Sequence, residues 1–315
     1  MSEFGRSGQT GLSAHLATFI GKASGSRVAI SDFCGASAST PITATGGTIT
    51  DVGGYRNHVF TTNGEFCITA LASGDASTVI EHCVVGGGAG GGGGQSNAQE
   101  CGGGGGAGGM KIGSGAVPHR VGCQEIYVGA GGAGGRNATD AGDNGGGSWI
   151  GEVLSALVEV RGGGAGAAIY FGNGAGYANG SGGGGAGKSA AAQTSGGAGY
   201  ADQGNWGGTG GNPGGGGGGG HRTRGNNADS NTNNGGAGGG STTYIPYNKN
   251  YASGGGGAGR LYGGSGYNTA GDGGGHLTNA SNATSASRQG CGGGGGARTA
   301  GGAGASGIVI ISYLK

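Results

Sequence analysis

Proline is almost absent, at 4 of 315 residues. Collagen needs proline together with glycine at every third position, so this glycine-laden chain is no collagen. Charge is scarce as well: 10% of residues, 16 basic against 15 acidic, net +1. Such a balance offers no electrostatic footprint for nucleic acid or an anionic membrane, and no nucleic-acid partner is expected. No apolar run approaches the roughly 20 residues of a transmembrane helix. The opening "MSEFGRSGQTGLSAHL" has no apolar signal core, so Sec export is not expected and release by lysis is the route anticipated.

What is abundant is glycine, 96 residues in all, and it is unevenly placed. Residues 1–85 hold 12 glycines and residues 86–315 hold 84, which sets a compositional boundary near Val85. Before it, "GGYRNHVFTTNGEFCITALAS" reads as a β-hairpin, with Tyr55, Val59 and Phe60 in one strand and Phe66 and Ile68 in the next. Asn63-Gly64 between them is the preferred two-residue turn, whose central positions both need positive φ. "STVIEHCVV" (Ser77–Val85) reads as a further strand running straight into "GGGAGGGGG". Similar strand-to-glycine junctions occur in "QEIYVGAGGAGG" (Gln124–Gly135) and "ALVEVRGGGAGAA" (Ala156–Ala168), and the chain closes on the apolar "SGIVIISYLK". "GEVLSALVEV" is ambiguous by periodicity; its β-branched residues and glycine flanks favour strand. Strands are therefore expected within 48–85 and over 124–128, 153–161 and 307–313, with little or no α-helix.

The glycine runs are either linkers or structure. Linkers are usually mixed with serine and seldom recur between apolar strands, whereas these runs are nearly pure Gly/Ala, separated by turn-forming Asn, Asp, Ser and Thr. The structured alternative is a bundle of polyglycine II helices, left-handed and three residues per turn, with no internal hydrogen bonds. Ordering one backbone residue costs about 1–2 kcal/mol, and a net hydrogen bond returns about 0.5–1.5 kcal/mol. One or two runs would stay disordered. Many runs, anchored at their ends by a small β-sandwich or sheet, would satisfy one another. Alanine is expected on outward faces of such a bundle.

Several chemical motifs are weaker than they look. "GGGGAGKS" (Gly182–Ser189) matches the phosphate-loop pattern, but lacks the preceding buried strand and the following helix that cradle phosphates. Two glycines at the right spacing are cheap in this background, and no cofactor is expected. No C-x-x-C occurs among the six cysteines, and the histidines are not at finger spacing, so no metal site is expected. "CGGGGGA" occurs twice, at Cys101 and Cys291: either two small buried residues at like positions, or a disulfide between adjacent runs. His82 and Cys83 are neighbours in an expected strand and face opposite ways, which disfavours a Cys–His dyad. No catalytic residue is assigned, and an enzyme is not expected.

Three segments carry a family resemblance: "HVFTTNGEFCIT" followed by "VIEHCVVGGGAGGGGG", then "IYVGAGGAGG", then "GASGIVIISY". They resemble the opening hairpin, a recurring "YxVxVGAGGAGG" segment and the closing strand of the glycine-rich domain of bacteriophage tail and tail-fibre proteins. Upstream, "LATFIGKASGSRVAISDFCGAS" is similar to a short phage tail module with "GxISxSDFYG" at its core, Cys34 standing at the tyrosine. The resemblance implies a virion protein, with residues 1–45 as a virion-attachment segment that contacts other tail proteins and residues 46–315 as the glycine-rich domain. It also implies a homo-oligomer or a cap on a trimeric fibre, synthesis in the host cytoplasm, and likeness to polyglycine-bundle tail-tip adhesins whose loops bind the host.

The segments between runs supply candidate contacts for a host glycan or outer-membrane protein, since loops on a rigid support commonly carry binding. Eight of the eleven tyrosines lie between Tyr170 and Tyr267. "STTYIPYNKNYASG" offers Tyr244, Tyr247, Lys249 and Tyr251; "DQGNWGGTGGNP" offers Trp206; "GHRTRGNNADSNTNN" offers His221, Arg222 and Arg224; "GRLYGGSGYN" offers Arg260, Tyr262 and Tyr267. The competing reading of these tyrosines is that they cap the glycine bundle against water. At the level of function, the adhesin competes with a purely structural glycine-rich fibre, sheath or ice-binding array.

Overall fold

The computed structural model describes residues 39–74, 76–95, 100–152, 155–170, 175–188, 193–273 and 283–315. The virion-attachment segment expected at 1–45 therefore lies almost wholly outside the described residues. Strand β1 is Thr43–Thr45, β2 Thr48–Val52, β3 Tyr55–Phe60, β4 Gly64–Ala70, β5 Glu81–Val85 and β6 Met110–Ser114. They are followed by β7 Gly122–Tyr127, β8 Ser148–Ile150, β9 Val158–Val160, β10 Thr242–Tyr244, β11 Lys249–Tyr251 and β12 Ile308–Leu314. Among the described residues the helical element is a single 3₁₀ turn, Ile245–Tyr247. The architecture is mainly β, as the sequence indicates. The strand expected over 153–161 is confined to β9; residues 153–154 lie outside the described set.

The first hairpin is not where the Asn-Gly signal puts it. β2 and β3 are joined by Gly53–Gly54, with φ of 58° and 84°, the two left-handed residues that a tight two-residue turn requires. β3 then pairs on its other side with β12, from Phe60↔Val309 to Tyr55↔Leu314. Both edges of β3 are thus occupied, and β4 crosses to another sheet to pair with β1 and β7. Asn63 serves that crossing instead, its Oδ1 accepting from Val128 N–H at 2.9 Å.

Two five-stranded antiparallel sheets result, β2-β3-β12-β5-β6 (sheet I) and β1-β4-β7-β8-β9 (sheet II). Alternation along each strand sends Phe60, Val84, Val309, Ile311 and Tyr313 of sheet I against Phe66, Ile68, Ile126, Ile150 and Val160 of sheet II in one buried cluster. His58 lies in the same space, its Nδ1 2.8 Å from Gly46 O and its Nε2 3.1 Å from the Tyr313 hydroxyl. The other face of sheet I buries Val59, Cys83, Val85, Ile308 and Ile310 beneath Tyr244 and Tyr251 of the β10–β11 hairpin. One disulfide, Cys67–Cys123, joins opposed positions of β4 and β7. Cys101 and Cys291 are not bonded to each other; both are free and buried.

Glycine runs leave and re-enter this sandwich at strand ends, and their bonding has a period of three. In the run 86–94, Gly86, Ala89 and Gly92 donate to the carbonyls of Gly109, Gly106 and Gly103. Gly87, Gly90 and Gly93 donate to Gly146, Asp143 and Asp140; Gly88, Gly91 and Gly94 donate to Ala305, Gly302 and Thr299. All nine bonds span 2.8–3.2 Å. Falling acceptor numbers mark three antiparallel neighbours. Three parallel neighbours donate back: Gly132 to Gly88, Gly163 to Gly87 and Gly293 to Ala89. Three residues per turn aims successive N–H groups, and successive C=O groups, at different neighbours, which is how a polyglycine II helix acquires six. The run 101–109 is surrounded in the same manner, bonding to 86–92, 161–167, 181–187, 216–219, 255–258 and 290–296.

Side chains have little room there. A Cβ on Gly104 would stand 2.3 Å from Gly255 O, and one on Gly294 would stand 1.8 Å from Asp272 O. Alanine is not restricted to outward faces as the sequence suggested. Ala130, Ala133 and Ala300 are exposed, but Ala89, Ala107, Ala165, Ala167, Ala168, Ala186, Ala258 and Ala297 are buried. Several of these sit where runs end and methyls meet one another: Ala258 and Ala297 against Cys101, Ala167 and Ala186 against Ile169, Ala107 against Met110.

Gly104→Val and Gly294→Val should each destabilise the protein by about 3 kcal/mol or more, the upper range for overpacking. Thermal unfolding of both variants beside wild type checks this, and unchanged melting would count against the bundle.

Candidate functional site

The runs reverse direction at two ends, and the candidate residues divide between them. The sandwich end is marked by Gly86, Gly109 and Arg161, each adjoining a strand. Ala107 donates to Gly219, Gly182 to Asn205 and Gly225 to Trp206, so Trp206 and the 220–225 turn lie towards that end. His221 N–H donates to Ala252 O, Arg222 N–H to Gly240 O and Tyr267 N–H to Gly254 O, which brings the β10–β11 hairpin and Tyr267 to the same side. Arg260 and Tyr262 lie at the far end: Ala258 is level with Gly102, Arg260 N–H donates to Asn233 O, and Tyr262 O accepts from Gly235. The eleven residues therefore do not form one surface.

Burial removes two of them. Tyr244 and Tyr251 are 0% and 1% exposed, so neither ring can meet a partner. The segment expected to be a receptor loop is a hairpin laid over sheet I, and these two tyrosines cover the outer face of that sheet rather than the ends of the glycine bundle. The Tyr244 hydroxyl donates to Ser312 Oγ at 3.0 Å, and Ser312 donates to Asn57 Oδ1 at 2.6 Å, so the polar end of the ring is satisfied inside. Burial pushes both tyrosine hydroxyls far above their ordinary pKa. Tyr247 is half-buried against the same cluster, with Lys249 Nζ 4.9 Å from its ring centroid. His221 is half-buried, its Nδ1 2.6 Å from Thr242 Oγ1, and burial lowers its pKa.

The remaining side chains are open to solvent. Trp206 is 55% exposed, and Arg222, Arg224 and Tyr267 are exposed near it on the same side, with Arg224 Nε donating to Gly207 O at 3.2 Å. Tyr200 belongs with this group although no local motif singles it out: it is exposed, and the Arg161 guanidinium lies 4.3 Å from its ring centroid. At the far end Tyr262 is exposed and Arg260 half-buried; exposed Tyr170 donates to Glu100 Oε1 at 2.9 Å. The sequence signal for Tyr170 and Tyr200 was their membership of the tyrosine-rich span, which does not separate exposed rings from buried ones.

The glycine-rich domain profile matches residues 61–314, from β4 to the closing strand. The chain belongs to the glycine-rich domain family. No curated protein matches it. Within this glycine-rich domain the run resembling a phosphate loop is part of the lattice. Gly182 donates to Asn205, Gly183 to Tyr177, Gly184 to Gly104, Gly185 to Gly208 and Gly187 to Cys101. These N–H groups point at carbonyls, and cradling a phosphate would require breaking those bonds. Burial raises the Cys83 thiol far above its ordinary pKa and pushes Cys101 up to about 12, so both are poor nucleophiles at neutral pH.

Burial also lowers the pKa of His58 and His82, as it does His221. Their folded values lie below the unfolded value near 6.5, so the unfolded chain binds more protons as pH falls. Stability is then full above about pH 6.5 and is lost as pH falls towards the folded values. Melting temperature should drop between pH 7.5 and 5, and the drop should be smaller in His82→Gln; a flat profile across that range contradicts the assignment.

Proposed function

We propose that this glycine-rich domain is part of a bacteriophage tail or tail fibre and contributes to recognition of the host surface. The observation that carries the reading is the set of exposed aromatic and cationic side chains (Trp206, Tyr200, Arg222, Arg224 and Tyr267) on loops pinned by the bundle. Aromatic faces beside guanidinium groups suit a sugar ring bearing acidic substituents, or polar loops of an outer-membrane protein. Pinning the loops in advance lowers the ordering cost of binding. The resemblance to phage tail proteins in "HVFTTNGEFCIT", "IYVGAGGAGG" and "GASGIVIISY" supports the virion setting. In this reading residues 1–45 attach to other tail proteins, the protein assembles as a homo-oligomer or fibre cap, and it leaves the host cytoplasm by lysis. It acts by binding, without catalysis or cofactor.

A structural role without a receptor is favoured by a different observation. Ala130, Ala133 and Ala300 are exposed on two adjacent runs, joined by Gly301→Gly135 and Gly304→Gly132 bonds. Ala130 and Ala133 stand three residues apart, with the Ala300 methyl on the adjoining run, and exposed methyls of this kind suit packing in a fibre.

Particles carrying Trp206→Ala with Tyr200→Ala should adsorb to host cells at a reduced rate while assembling normally. Tyr262→Ala with Tyr170→Ala tests the opposite end. Normal adsorption by both double variants would sink the adhesin reading and leave the structural one.

A further inference from the structure

We infer that reduction of the Cys67–Cys123 disulfide creates a site for a thiophilic divalent cation, Zn²⁺ being the natural occupant, held by Cys67, Cys123 and Glu65 on the outer face of sheet II. In β4 and β7, Cys67 stands opposite Cys123 and Glu65 opposite Glu125. Residues two apart on a strand share a face, so Glu65, Cys67, Cys123 and Glu125 all stand on the outer surface of the sheet. Ligand atoms of Glu65, Cys67 and Cys123 all lie within 4.8 Å of one another. Two thiolates and a carboxylate are a zinc-type donor set, with a fourth position left for water.

Two further features favour a cation here. Glu65 and Glu125 are like charges placed directly across an antiparallel pair, an unfavourable arrangement that a cation relieves. Glu159 of β9 is exposed on the same sheet, and none of the residues of β1, β4, β7, β8 or β9 is Lys or Arg. The site is also accessible, with Cys123 and Glu65 exposed and Cys67 half-buried. β4 and β7 are interior strands, flanked by β1 and β8. Their register is held from both sides, so the two sulfurs remain neighbours when the bond between them is cut.

The chemistry balances with a dithiol as reductant. Its thiolate attacks one sulfur, the Cys67–Cys123 bond breaks, and the reductant closes to a cyclic disulfide while both cysteines become thiols. Binding of M²⁺ then releases two protons as two metal–sulfur bonds form. The inference does not depend on the host-recognition reading.

The test uses the full chain, reduced with a dithiol, desalted under nitrogen and titrated with Co²⁺, whose thiolate charge-transfer and tetrahedral d–d bands report the donors directly. The reduced chain should take up one equivalent with these bands and lose them to Zn²⁺; the oxidised chain should show none. Cys67→Ser with Cys123→Ser should abolish the signal. Glu65→Gln should keep the thiolate band and weaken affinity about tenfold. Cys34, Cys83, Cys101 and Cys291 remain in every variant, so a signal that persists in the double serine variant comes from one of these and overturns the proposal. Absence of a signal in the reduced chain overturns it equally. So does loss of the thermal transition on reduction, because the site requires the sheet to survive it.

Discussion

The hydrogen bond from one glycine run to the next is the interaction on which the rest depends. Runs such as 86–94 and 101–109 have almost no side chains to bury, so hydrophobic transfer cannot hold them. Their order comes from satisfying N–H and C=O groups that have no partner within their own helix. Each run therefore needs its neighbours, and an interior run needs six. The same requirement forbids a Cβ at most positions, since the close approach that makes the bond leaves a carbonyl oxygen about 2 Å from where a methyl would stand, as at Gly104 and Gly294.

Such a lattice has many equivalent registers, because sliding one run by three residues restores the bonding pattern. The β-sandwich removes that freedom. Runs 86–94, 101–109, 129–135, 162–168 and 299–307 each join a strand directly or within a residue or two, and strand pairing places their ends. β12 has the central part: the last segment of the chain lies between β3 and β5, so sheet I is complete only when the whole glycine-rich stretch has been threaded. Apolar burial and backbone bonding therefore divide the work, the first setting registers at one end and the second holding the bundle together.

That division shapes the surface. A bundle with few side chains can display chemistry only on its turns and on its outermost runs. The turns near the sandwich carry Trp206, Tyr200, Arg222 and Arg224, whereas the hairpin richest in tyrosine is drawn inward because the outer face of sheet I needs cover. Two tyrosines in one short segment thus contribute to stability, while the side chains of the neighbouring turns stay exposed.

From the sequence alone the β-plus-polyglycine character was readable, because strands rich in Val and Ile abut pure glycine runs and the one segment of ambiguous period, "GEVLSALVEV", is β-branched and glycine-flanked. The glycine-rich family was readable on similar grounds, whereas for Cys101 and Cys291 the sequence left burial and a disulfide both open, and the structure shows them buried and free. The pairing of strands was not. Asn63-Gly64 carries a strong local turn signal, yet β3 gives its free edge to β12, more than 240 residues away in the chain. The Cys67–Cys123 pair depends on the β4–β7 pairing, and the burial of Tyr244 and Tyr251 on the assembled face of sheet I, and no spacing encodes either. Composition decides what each segment can do with its own backbone, and so it determined the kinds of element. Which edges and faces meet is settled by competition among distant segments for the same hydrogen-bonding and apolar surfaces, and only the tertiary structure decides that.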